Sequence, residues 1–214
     1  MTDKVRVLIV GLGNMGLSHA KAYHALPGYE VVGLCSRNIA GMTSLPTELD
    51  AYAKFSDYTE ALAELKPDAV SINTYSDTHA DFAVQAFEAG AHVFLEKPIA
   101  ETLEDAQRVV DTAKRLNKKL VVGYILRHHP SWTKLVEVAQ GLGKPLVMRM
   151  NLNQQSSGTT WETHKTLMKT MSPIVDCGVH YVDMMCLMAR AKPVKVHAMG
   201  VNLTPEIDPD MYNY

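Results

Sequence analysis

The sequence predicts an α/β protein whose core is a parallel sheet with helices on both faces. Two observations lead there. Short apolar runs alternate with longer amphipathic stretches through the first 124 residues, and a glycine-rich turn joins the first run to the first helix. Val5–Val10 is apolar except for Arg6 and ends at glycines, with Val7–Val10 unbroken, which suits a strand buried on both faces. Asn14 to Leu26 reads as a helix closed by Pro27-Gly28, and Tyr29–Cys35 as the next strand. Asp57, with Glu60 three residues on, has capping-box spacing for a helix that Lys66-Pro67 ends. Ala69–Thr74 is a third strand, followed by a helix from about Thr78 to Ala89 with Gly90 as its stop. His92–Glu96 is a strand broken by Pro98. Thr102 caps a helix to Leu116 with Asp105 at its third position, and Leu120–Tyr124 is one more buried strand.

After Tyr124 the rhythm changes, which divides the chain into residues 1–124 and 125–214. Pro130–Gln140 reads as a helix. Pro145–Asn153 alternates in the manner of an antiparallel strand, and polar Gln154–Thr160 as a loop. Ser172 and Pro173 open a helix to about Ala189, and Val194–Leu203 is a last strand. The second unit is therefore expected to be an incomplete α/β domain of mainly antiparallel sheet, because two strands and a helix cannot bury a sheet alone.

Charge and composition exclude several classes. With 21 basic and 23 acidic residues the net charge is −2, so there is no field for nucleic acid and no polybasic membrane patch. The apolar runs are too short for a secretion signal or a spanning helix. Three cysteines without CxxC spacing indicate neither a zinc site nor a disulfide framework, and point to the cytoplasm.

Gly11-Leu12-Gly13-Asn14-Met15-Gly16 is G-x-G-x-x-G between strand and helix. Gly11 permits the tight turn, Gly13 lets a pyrophosphate approach the backbone, and Gly16 lets helix pack on strand. The pattern predicts a Rossmann dinucleotide-binding domain. No carboxylate ends the second strand to hold a ribose diol. Ser36 and Arg37 stand there instead, which favours NADP and leaves NAD open. Arg37 also reads as a plain surface residue.

Lys97, held extended by Pro98 at a strand tip, can donate to a substrate oxygen; alone it reads as a solvated lysine. Asp176 and His180 are i and i+4 on the expected helix, with Asp183 three further on, so the three share one stripe. A histidine tuned by a carboxylate moves protons near neutral pH, although a surface ion pair has the same spacing. Arg127 follows the last parallel strand and could reach the same cleft or tie the two units together. His79 lies near the expected nicotinamide end, and His19 reads as structural.

Taken together, GLGNMG with His19, Thr74 to His79, AGAHVFLEKPIA at 89–100, Gly123 to Arg127 and DCGVHYVD at 176–183 resemble the glucose-fructose oxidoreductase/inositol dehydrogenase/rhizopine-catabolism family of NAD(P)-dependent oxidoreductases. The resemblance implies a cofactor site of Gly11, Gly13, Asn14, Met15, Gly16, Ser36, Arg37, Thr74, His79, Glu96 and Lys97. It implies a substrate-facing set of Lys97, Arg127, Asp176 and His180, with Lys97, Asp176 and His180 catalytic and no metal. The implied reaction is hydride transfer between nicotinamide and a sugar, polyol or related cyclic alcohol. The implied assembly is a homo-oligomer through the second sheet. Tyr75 stands where proline is common, and Met171-Ser172-Pro173 replaces glycines; both bear on substrate shape. The other reading is a dinucleotide-binding or sensing protein without chemistry, or an inactive shortened form.

Overall fold

The sheet of the first unit has six parallel strands: β1 Val5–Val10, β2 Tyr29–Cys35, β3 Lys54–Phe55, β4 Ala69–Ile72, β5 His92–Leu95 and β6 Leu120–Val122. They lie in the order β3-β2-β1-β4-β5-β6. The computed structural model describes residues 4–42, 45–152, 155–169 and 171–213. The chain divides into units Met1–Gly123 and Tyr124–Tyr214. The strand order is that of a doubly wound Rossmann sheet, and it reverses between β1 and β4, where such folds open a ligand crevice.

The side-chain period of β1 accounts for the two-sided core. Leu8 and Val10 pack with Val70, Ile72, Val93 and Leu95 on one face. Val7 and Ile9 pack with Val31 and Leu34 on the other, where Ala20 of α1 (Asn14–Ala25) meets them. Three further helices, α2 Tyr58–Leu65, α3 His79–Glu88 and α4 Leu103–Arg115, contribute to the first face. Their starts are written in the caps. The Asp57 carboxylate accepts from Glu60 N at 2.8 Å, and Thr102 Oγ1 accepts from Asp105 N at 3.1 Å. The two-residue strand β3 was not expected; it is too short to show a period.

In the second unit α5 (Pro130–Gly141), α6 (Gly158–Leu167) and α7 (Val179–Ala189) are regular, and a π-helical turn, Ile174–Gly178, leads into α7. A small core of Ala139, Met184 and Met188 gathers Trp132, Val136, Met148 and Met150. The structure departs from the sequence reading here. Helix α6 begins inside the stretch expected to be a loop. No strand forms among the described residues at 145–152 or 194–203, so no antiparallel sheet is shown. Met148 and Met150 turn toward the core while Val147 is exposed, so the alternation is real. A strand, however, needs a ladder of bonds to a neighbour; among the described residues the Asn213 N–H donates to the Val201 carbonyl at 3.2 Å, and no ladder forms. Asn153 and Gln154, at the ends of the expected strand and loop, lie outside the described residues.

Candidate active site

The glycine turn sits at the switch point of the sheet. Gly11 has φ +81°, and a Cβ there would lie 2.6 Å from the Asn73 carbonyl oxygen at the end of β4. At Gly16 a Cβ would lie 1.7 Å from the Gly11 carbonyl oxygen, so strand, turn and helix close on one another. Gly13 differs: it is exposed, and nothing lies within 4 Å of a Cβ built on it. Gly13 is the N-cap of α1, whose first turn has no side-chain cap and no acidic residue. Backbone N–H groups and the positive helix end, with exposed Asn14 and Met15, therefore face open space, and the turn fits a pyrophosphate. At the end of β2, Ser36 is half-buried and Arg37 exposed.

A buried polar network lies beneath this turn. His19 of α1 points its Nδ1 at Ser71 Oγ, 3.2 Å away, and its Nε2 at Glu96 Oε1. The second contact, at 3.1 Å, is an ion-pair distance. Glu96 is 6% exposed; its other oxygen accepts from the Lys97 amide at 3.2 Å, and its carboxylate fills the space that Gly123 leaves by lacking a Cβ. Burial pushes the Glu96 carboxyl up. Contact with His19 and the Lys97 N–H outweighs it and holds the group below the usual glutamate range. Glu96 thus faces inward, while Lys97 is half-buried. His79, 1% exposed, sits between the Pro98 carbonyl (Nδ1, 2.7 Å) and that of Thr74 (Nε2, 3.1 Å), tying the segment after β5 to the end of β4.

In the second unit the π-helical turn carries Asp176 and Cys177, so the spacing from Asp176 to His180 is not a plain α-helical i, i+4. Both residues of the turn line a cleft of about 260 Å³, with Cys177 Sγ 3.6 Å from Asp176 Oδ2. The His180 ring stands edge-on to Tyr124, centroids 6.3 Å apart. Asp183 takes the guanidinium of Arg127 at two points, Nε to Oδ2 being 2.8 Å, and the Tyr124 ring lies 5.2 Å from that guanidinium. Met171 and Pro173, expected to bear on substrate shape, line this cleft, whereas Trp161, His164 and Met168, which precede Met171 along the chain, were missed in the sequence. Their spacing of 3, 4 and 3 up to Met171 is a helical face, and it was the available signal. No metal-binding group of His, Cys, Asp and Glu occurs among the described residues.

Strand order and glycine turn together define an NAD-binding Rossmann domain. Residues 5–124 match the oxidoreductase family, NAD-binding Rossmann fold, and residues 134–213 match the GFO/IDH/MocA C-terminal domain. The chain belongs to the Gfo/Idh/MocA oxidoreductase family. It is 29% identical over 199 residues to inositol 2-dehydrogenase of Salmonella typhimurium, covering 88% of this chain and 56% of that protein. It is 30% identical over 197 residues to UDP-N-acetylglucosamine 3-dehydrogenase of Acidithiobacillus ferrooxidans, covering 92% and 58%. The solved structure of an enzyme of that name and source superposes with a TM-score of 0.73 at 28% identity, over 94% of this chain and 62% of the other. Scyllo-inositol dehydrogenase of Lactobacillus casei, solved with NAD(H) and scyllo-inositol, gives 0.72 at 20% identity, over 88% and 57%. The chain thus spans a little over half the length of the curated relatives it matches. No helix among the described residues is long and apolar enough to cross a membrane.

Proposed function

We propose that the protein is an NAD(P)-dependent oxidoreductase that transfers hydride between nicotinamide and a secondary alcohol of a sugar, polyol or related ring. The observation that carries this reading is the open cradle at Gly13 on the switch point of a Rossmann sheet. The dehydrogenase names of the relatives support the substrate class. When bound, the nicotinamide supplies the hydride acceptor or donor.

The chain's own residues do the rest. Lys97 donates to the reacting oxygen and stabilises its developing negative charge. His180 takes the hydroxyl proton in oxidation and returns it in reduction. Asp176 faces the cleft and orients the alcohol and the imidazole. Thr74 and the glycine turn hold the cofactor. Glu96 and His79 act as positioning residues behind Lys97, and Arg127 holds α7 through Asp183. Ser36 and Arg37 favour the 2′-phosphate of NADP.

The domains divide at residue 124, and three cysteines outside any disulfide suit a reducing cytoplasm. The exposed extended segments at 145–152 and 194–203 form the second-domain sheet on pairing with further strands, including those of a second copy.

Lys97→Ala and His180→Ala should each lower turnover by about 10²–10⁴ while leaving dinucleotide affinity within a few-fold. Equal losses of dinucleotide affinity would show that these residues build the cofactor site instead. Arg37→Ala should reduce a preference for NADPH over NADH by about tenfold, the scale of a charge-assisted contact. An unchanged ratio refutes the assignment.

A further inference from the structure

We infer that the cleft of the second unit selects a single pyranoside ring bearing a small apolar substituent over a bare polyol; this rests on the dehydrogenase reading above. The cleft is about 260 Å³, just under the range of about 300–1,000 Å³ typical of sites for drug-sized ligands, so it takes one ring and a short substituent. Its wall is mixed. Asp176, His164 and Cys177 are among its polar groups, and Trp161, Met168, Met171 and Pro173 supply apolar surface.

The apolar part is pre-built. Met168 and Met171 are both buried, and Trp161 is fixed by donating its indole N–H to Glu206 Oε2 at 2.9 Å. An inositol carries a hydroxyl on every carbon, so in this cleft some hydroxyls press on thioethers and lose their hydrogen bonds to water. An alkyl substituent lies there without that loss, and methionine adapts to its shape. Asp176 lines the same cleft and accepts from a ring hydroxyl.

The test is a binding titration of the full chain carrying Trp132→Phe, which leaves Trp161 as the only fluorescent indole of the two. Propyl β-D-glucopyranoside and myo-inositol are the probes. The inference expects the glucoside to bind at least about tenfold more tightly, the scale of one unpaired hydroxyl. It expects Met171→Gln to remove that preference and Met171→Leu to keep it. Equal affinities, tighter inositol, or no fluorescence response to either probe overturns it. Oxidation of both probes with NADP is measured in parallel. A preference in binding without oxidation leaves the cleft assignment standing and removes the dehydrogenase reading. Oxidation without preference does the reverse.

Discussion

Glu96 is buried beside His19 with one oxygen on the Lys97 amide, and its carboxyl is held below the usual glutamate range. In the unfolded chain it titrates near the ordinary value of about 4.3. Its contribution to stability is therefore fully present above that value. It is lost as pH falls toward and through the lower folded value, because the unfolded chain takes the proton first. Urea unfolding of wild type and Glu96→Gln across this window should show a steeper acid decline in the wild type; superimposable slopes would mean that the pair does not matter. The sequence marked His19 and Glu96 by their neighbours in motifs, yet not that they meet. Fifty-two residues separate His19 from Ser71 in the chain, and no local period reports a contact at that range. The same limit hid the two-point pair of Arg127 with Asp183.

At the scale of elements, caps and breakers made the first unit legible. Asp57 and Thr102 start helices where their side chains accept amides, and Gly90, at φ +90°, follows the end of α3. β1 shows its two-sided burial in the unbroken apolar run Val7–Val10. What could not be read had either no period or no local partner. β3 is two residues long, α6 opens in Gly158-Thr159-Thr160, and a π-helical turn leaves no mark on an i, i+4 pattern. The glycine turn yields a contrast that separates architecture from binding. Gly16→Ala drives a Cβ into the Gly11 carbonyl and should cost about 3 kcal/mol, more than the roughly 1 kcal/mol alanine gains over glycine in a helix. Gly13→Ala meets nothing in the protein, so thermal unfolding should shift by less than about 0.5 kcal/mol. Its dinucleotide affinity should nevertheless fall about tenfold or more, because the methyl occupies the approach to the backbone. Unaltered affinity in Gly13→Ala would place the pyrophosphate elsewhere.

On the scale of the molecule, the two units differ in how much core they build. The first buries both faces of a six-stranded sheet, whereas the second has a small buried cluster of Ala139, Met184 and Met188 and leaves Val147, Val194, Val196 and Met199 exposed. The family is established by both halves of the chain, and the chemistry is proposed from Lys97 in one unit and from Asp176 and His180 in the other. The most direct test is formation of reduced nicotinamide by the purified full chain with NADP or NAD over a panel of sugars, alkyl glycosides and polyols. Dinucleotide binding is measured on the same preparation, and Lys97→Ala is the control. The account predicts substrate-dependent reduction that disappears in Lys97→Ala while dinucleotide stays bound. Tight dinucleotide binding with no reduction by any carbohydrate would contradict it and identify a binding or sensing protein.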